Sequence, residues 1–352
     1  MNLGSDNLAG ASPKIMAALA QAAQGTQSPY GMDDHTKAAS AALNQAFESK
    51  AEIFFVATGT AANALALAQI SKPWSAIFCH ATAHINEAEA GAPEGLSGGA
   101  KIVGIDGAAG KIDVEGLRSA AMRFRKGWQP HVQPAALSLS QVTECGTLYQ
   151  PGELSALCAF AQEQGLKVHL DGARFANAVV ALGCKPAELS WKAGIDVLCL
   201  GATKDGALAC EAIMFFDPAL ADEFTWRIKR AGHVLSKGRL LGAQMLAWLD
   251  QGHWLDLARH ANAMAAQLQS GLSEIDGVEL AWPVQANEIF VWLPAALQAR
   301  LRAANITYAL WPTLGTQFTG RLPHEGVFAR FVTSFATTPD MIKTLLTAAR
   351  AA

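Results

Sequence analysis

From residue 53 to residue 216 the sequence alternates between two textures. Short apolar runs end in small polar residues, and stretches with helical spacing follow them. Residues 53–56, 76–79, 101–105, 136–141, 167–171, 197–200 and 212–216 read as strands. Residues 60–70, 114–125, 153–164, 175–182 and 218–230 read as helices. A strand that returns beside its predecessor through a helix runs parallel to it, so the pattern demands a mainly parallel sheet with helices on both faces. The fold class is therefore α/β.

Ahead of this segment, Ser12-Pro13 starts a helix, with serine at the N-cap and proline at the first helical position, running to Gln24 and stopping at Gly25. Residues 25–34 are rich in turn formers, and Asp33 or Asp34 then caps a second helix to about Phe47. After about residue 235 the texture changes. Long helical stretches at 240–251 and 254–272 are followed by a break at Gly277, strands at 288–292, 307–310 and 329–335, a helix at 294–304 and a last helix from Pro339. Residues 323–326 read as an exposed loop. The expected organisation is an N-terminal arm and helix over 1–30, a large domain over 31–240 and a smaller α/β domain over 241–352. With 352 residues, 51% of them hydrophobic, the chain can bury cores of that size.

Charge and cysteine usage exclude several classes. The net charge is −3 and no block of Lys and Arg suggests nucleic acid or an anionic membrane surface. The longest apolar stretch, 53–70, carries Thr58, Gly59, Thr60 and Asn63 at its centre, which a membrane span would not. Residues 1–13 have neither a basic segment nor an apolar one, so no secretory leader is expected, and the chain reads as cytoplasmic. The six cysteines form no C-x-x-C pair and mostly sit in apolar runs, so they read as reduced core residues and no metal site is expected. Only 16% of residues are charged. Either an oligomer interface covers much of the surface, or the chain is simply alanine-rich.

Four features fall at the ends of expected strands, where open α/β sheets bind ligands. Thr58-Gly59-Thr60-Ala61-Ala62-Asn63 is a strand-to-helix turn whose small residues let backbone N–H groups approach an anion; it is either a phosphate cradle or an ordinary tight turn. Asp171 ends an apolar strand and needs a cationic or N–H partner, unless it is a helix cap. Arg174, three residues on, is either that partner or a bidentate carboxylate holder. Lys204, just past a buried strand and flanked by small residues, is placed as a Schiff-base nucleophile. His80-Ala81-Thr82-Ala83-His84 opens a fourth run in which an imidazole either is structural or covers a flat ring. Phosphate cradle, aspartate and lysine in this chain order are the layout of a pyridoxal-phosphate site, which needs an anchored phosphate, a carboxylate at the pyridine nitrogen and a reactive amine.

The segments S-D-N, S-P-Y-G-M-D-D, A-T-G-T-A-A-N, H-I-N-E-A-E-A-G, L-S-Q-V-T-E-C-G-T-L-Y, H-L-D-G-A-R-F-A-N-A, G-A-T-K-D-G and R-F-V-T-S-F span nearly the whole chain. They resemble those of the low-specificity L-threonine aldolases, pyridoxal-phosphate enzymes of fold type I in the beta-eliminating lyase and threonine aldolase family. The resemblance implies that Lys204 carries the cofactor, Asp171 pairs with its pyridine nitrogen, and Thr58, Gly59 and Thr60 bind its phosphate. It implies that His84, with Glu89, stacks on the ring, and that Ser5, Arg174 and Arg330 hold the substrate carboxylate. Tyr30, Asp33 and Lys237 match segments near a subunit interface, Tyr30 toward the substrate and Lys237 toward the cofactor. It further implies a small amino-acid substrate, retro-aldol cleavage of threonine, allo-threonine or phenylserine to glycine and an aldehyde, and a homodimer or homotetramer with shared sites. Two departures stand out. Residues 140–144 lack the histidine that many members carry there, and Gly232-His233-Val234-Leu235-Ser236-Lys237 replaces a G-G-x-x-R-Q segment. They leave open which group handles the β-hydroxyl, with His84, counted as catalytic, or a water it orders as the candidate base, and they leave the interface phosphate contact unsettled.

Overall fold

The computed structural model describes residues 1–311 and 326–351. A seven-stranded sheet is built from β1 (Glu52–Val56), β2 (Ser75–His80), β3 (Lys101–Ile105), β4 (Gln133–Ser140), β5 (Lys167–Gly172), β6 (Val197–Gly201) and β7 (Glu211–Phe215), in the order β1-β7-β6-β5-β4-β2-β3. Neighbours from β3 to β6 pair in parallel, and β7 runs antiparallel to both β6 and β1. The sheet is thus mainly parallel, as the alternation demands. β2, β6 and β7 are buried at every residue, which is why their central residues read as unbroken apolar runs.

A second sheet follows from β8 (Glu279–Leu280), β9 (Glu288–Pro294), β10 (Ala309–Leu310) and β11 (Gly326–Val332), all antiparallel, in the order β10-β11-β9-β8. Its core joins Ile289, Val291, Leu293 and Phe331 to Leu268 and Leu272 of helix His253–Leu272 and to Ile342 and Leu345 of helix Pro339–Arg350. Leu3 belongs to the same core. Its N–H donates to the Thr307 carbonyl at 2.8 Å and its carbonyl accepts from Val332 N–H at 2.7 Å, so the first residues of the chain lie across this sheet.

The expected loop at 323–326 lies outside the described residues except for Gly326, which opens β11. The helix expected over 218–230 is broken: a short turn, Pro218–Ala221, is capped by Asp217, and helix Phe224–Arg230 begins only after Glu223 takes a left-handed φ of 59°. Helix Ala92–Ser97 and strand β8 add to the expected elements, and differences in the expected strands and helices elsewhere lie at their ends.

Helices Asp34–Ala46 and Arg239–Leu249 pack through Gly242. A Cβ at Gly242 would stand 2.5 Å from Thr36 N and 2.6 Å from its Cα. Alanine favours a helix by about 1 kcal/mol over glycine, but no rotamer relieves a clash with backbone. Gly242→Ala is expected to destabilise the chain by about 3 kcal/mol. A urea midpoint equal to or above the parent's would show that these helices are not in such close contact.

Candidate active site

The carboxyl ends of β4 and β5, β6 with the turn after it, the segment after β2 that carries His84 and Glu89, and the first turn of helix Gly59–Gln69 open onto one cavity of about 480 Å³, within the range that holds a small ligand. Thr58, Gly59, Thr60, His84, Asp171, Arg174, Lys204, Ser5 and Arg330 all line it. A larger groove of about 940 Å³, flanked by Lys14, His35 and Trp254, shares no lining residue with it and brings together none of these groups.

Thr58 takes an extended backbone and its hydroxyl accepts the Ala61 N–H at 3.2 Å, capping helix Gly59–Gln69. First-turn N–H groups have no partner inside a helix, and the helix end is positive. A Cβ at Gly59 would meet nothing within 4 Å, so this cradle has open space over it.

Asp171 sits at the end of β5, 8% exposed. One oxygen accepts from Ala173 N–H at 3.0 Å and the other from Asn63 Nδ2 at 2.9 Å. The same Asn63 amide donates to Glu89 at 2.9 Å, and Glu89 accepts from His84 Nδ1 at 2.9 Å. An amide thus ties the carboxylate at the cavity floor to the one that orients His84. The Glu89 hydrogen bond, opposed by burial, raises the pKa of His84, and its side chain remains 43% exposed. Asn63 was legible as part of A-T-G-T-A-A-N, but its bridging role depends on a helix placing it beside β5. His80 is structural: Nδ1 bonds Thr82 Oγ1 at 2.8 Å and Nε2 the Gly107 carbonyl at 3.0 Å.

Lys204 lies in a three-residue turn, Thr203–Asp205, after β6. Cys210 N–H donates to Thr203 Oγ1 at 3.1 Å, and Trp248 Nε1 donates to the Asp205 carbonyl and carboxylate at 2.9 and 3.1 Å. The lysine's two neighbours are therefore fixed while its own side chain faces the cavity lining. Glu211, which begins β7 just ahead of the expected apolar run, also lines the cavity; burial pushes its carboxyl up to about 7.

Arg174 is not the partner of Asp171. Its Nε and Nη2 donate to Asp6 at 2.7 and 3.0 Å, and its Nη1 pairs with Glu288 at 3.2 Å. Burial works against its charge, but Asp6 and Glu288 more than offset this and raise its pKa. Asp6 is likewise held below the usual carboxylate range: Arg174 and Lys204 outweigh its burial. Arg330 on β11 pairs with the other Glu288 oxygen at 3.4 Å, donates to the Gly4 carbonyl at 3.1 Å and lies 4.2 Å from the Trp311 ring centroid. Its Nε is buried without a hydrogen-bond partner among the described residues. With Arg174 already bracketed by two carboxylates, the less satisfied guanidinium is that of Arg330.

Tyr30 and Lys237 do not line this cavity. Tyr30 N–H donates to the Ser236 carbonyl at 3.0 Å and its ring, 54% exposed, lies 4.8 Å from Lys229 Nζ. Asp33 caps helix Asp34–Ala46.

Residues 2–296 match the family described as beta-eliminating lyase. The chain belongs to that family. This beta-eliminating lyase family member is 44% identical over 299 residues to the low specificity L-threonine aldolase of Pseudomonas aeruginosa, covering 85% of this chain and 86% of that one. A solved threonine aldolase of Leishmania major superposes with a TM-score of 0.90 at 29% identity, over 99% of this chain and 98% of that one. Sphingomonas wittichii serine palmitoyltransferase shares the fold, with a TM-score of 0.71 at 18% identity over 99% and 86% of the two chains. The fold is that of the type I pyridoxal-phosphate enzymes.

Members of this family depend on pyridoxal phosphate, and the residues present fit it. The open space over Gly59 suits a phosphate, Asp171 retains acceptor capacity beyond its two hydrogen bonds, and Lys204 offers an amine in the same cavity.

Proposed function

We propose that this chain is a pyridoxal-phosphate-dependent aldolase that cleaves β-hydroxy-α-amino acids such as L-threonine, L-allo-threonine or L-phenylserine to glycine and an aldehyde. The observation that carries the reading is the meeting of Lys204, Asp171, the Gly59 helix end and Arg330 in one cavity. Bound pyridoxal phosphate supplies an aldehyde and an electron-accepting ring. Lys204 would hold that aldehyde, and its amine would be at hand to return a proton to Cα. Asp171 would hold the ring nitrogen in its protonated form. Thr58, Gly59 and Thr60 anchor the phosphate, and His84 covers the ring face.

Which bond breaks at Cα depends on how the substrate is oriented, so the substrate carboxylate must be fixed. Arg330 and Ser5 are assigned to it, with Arg174 set in place by Asp6 and Glu288. Arg330→Leu is expected to lower kcat/KM by about 10²-fold, chiefly through KM, because a charge-assisted contact to the carboxylate is lost. Steady-state kinetics with L-phenylserine check this; an unchanged KM would move the anchor elsewhere.

We assign the small domain to 241–352, the large domain to 31–240 and the arm to 1–30. The active form is a homodimer or homotetramer, and Tyr30 and Lys237 reach a site as the contribution of another copy. No described helix is long and apolar enough to cross a membrane. We assign the enzyme to the cytoplasm as part of the same proposal. The test of the function is absorption of the purified protein near the visible edge, then aldehyde release from the three amino acids named. A cofactor-loaded protein that releases none of them, but responds spectrally to another amino acid, would replace the aldolase reading with another reaction on the same scaffold.

A further inference from the structure

The cleavage just proposed requires a base for the substrate β-hydroxyl, and residues 140–144 after β4 carry no histidine. We propose that Glu144 is that base, its Oε2 taking the β-hydroxyl proton. This inference rests on the aldolase reading.

Glu144 follows the end of β4 by four residues. Ser140, the last residue of β4, pairs in register with Asp171 of β5. Glu144 lines the same cavity as Lys204, His84 and Arg330. Its two oxygens are not equivalent. Oε1 accepts from the Ser140 hydroxyl at 2.8 Å and from the His84 backbone N–H at 2.9 Å. Oε2 is buried and has no hydrogen-bond partner among the described residues. A buried acceptor left unpaired is a cost that folded chains seldom carry without a use. Here Oε1 fixes the carboxyl to the segment that carries His84, and Oε2 is left without a donor among the described residues. The substrate hydroxyl supplies one.

The surroundings suit the task. Asp171 faces Glu144 from β5, Cys79 from β2 and His84 from the loop after β2, while Cys145 and Tyr149 follow it in its own segment. Burial, helped by Asp171 and opposed by the bonds from His84 and Ser140, pushes the carboxyl up to about 7. A base is most effective when its pKa lies near the working pH. His84 is less suited: its Nδ1 is tied to Glu89 and its pKa is raised, which favours the imidazolium, a form with no free lone pair.

The electron count closes. The hydroxyl O–H bond breaks and its proton bonds to Oε2. The pair left on oxygen forms the carbonyl of the departing aldehyde as the Cα–Cβ bond breaks. That bond's pair stays on Cα until a proton arrives there to give glycine, and Glu144 releases its proton to solvent.

Glu144→Gln in the cofactor-loaded enzyme tests this, because the amide oxygen can still accept from Ser140 and His84 while the base is lost. Two reactions are compared: aldehyde release from L-phenylserine, and exchange of the glycine α-proton in deuterium oxide, which involves no β-hydroxyl. The active form is the carboxylate, so parent kcat/KM rises with pH through about 7. In the variant, cleavage is expected to fall by about 10²- to 10³-fold with that limb gone, while glycine exchange stays within about threefold of the parent. Cleavage near the parent rate with the limb intact would overturn the assignment. So would an equal fall in both reactions, which is what a purely structural role through His84 predicts. Failure of the aldolase reading looks different: the unsubstituted enzyme then releases no aldehyde while still exchanging glycine.

Discussion

Lys204→Ala is expected to abolish cleavage of L-threonine and L-phenylserine, with kcat lowered on the order of 10⁴-fold or more. The reason is local. The turn Thr203–Asp205 is pinned on both sides of the lysine, by Cys210 to Thr203 and by Trp248 to Asp205. Removing the side chain therefore leaves the loop in place and deletes the amine alone. Loss of a covalent link to the cofactor should also appear in the absorption spectrum, the cofactor then being removable by gel filtration. Aldehyde release at a rate near the parent's would show that some other amine carries the chemistry and would undo the assignment of the whole cavity.

Asp171→Asn should lower kcat by about 10³-fold with the fold retained. The geometry of the carboxyl suits an acceptor: both oxygens receive N–H groups, from Ala173 and from Asn63. An asparagine whose oxygen still accepts from Ala173 must turn its amide toward the Asn63 amide, so donor meets donor. The variant also cannot hold a proton on a ring nitrogen by charge. Cofactor absorbance together with phenylserine turnover measures both effects. A variant within tenfold of the parent, as an order-of-magnitude threshold, would place the pairing of the ring nitrogen elsewhere.

Much of this was legible in the sequence, for a physical reason. A strand buried on both faces is apolar through its centre, so the middle residues of β2, β6 and β7 announce themselves, and the small residues that follow them mark where the chain turns. Strand ends were less visible. Glu52 and Glu211 begin their strands as charged residues outside the apolar runs, and Gln133-Pro134 lengthens β4 without apolar character. The break at Glu223 was hidden because a left-handed glutamate leaves no mark in composition.

The chemistry divides in the same way. Lys204, Asp171 and Gly59 sit at strand ends, where local pattern and function coincide. The partners of Arg174 do not. Asp6 lies 168 residues away and Glu288 belongs to the other sheet, so no spacing rule pairs them. Glu144 stood in a segment noted for lacking a histidine, and only the fold shows a carboxyl with one oxygen spare. Tyr30 and Lys237 lie outside the cavity of a single chain, and a pattern in one chain does not say which copy a residue serves.

The segment from Asn2 to Asp6 bears on how the protein is made. Asp6 accepts from Asn287 across 281 residues of chain, and Leu3 accepts from Val332. During synthesis Asp6 can meet Arg174 once the first sheet has emerged, but Asn287 and Val332 reach the segment only when nearly all the rest has left the ribosome. The first sheet can assemble long before the second, so the two sheets can form in sequence. Docking of the second sheet then completes the contacts of Leu3 and Asp6 on either side of Ser5, which lines the cavity. A growing chain therefore holds an incomplete binding site until its last strand is in place, and the competence to react arrives as a final step of folding rather than with the core that contains the lysine.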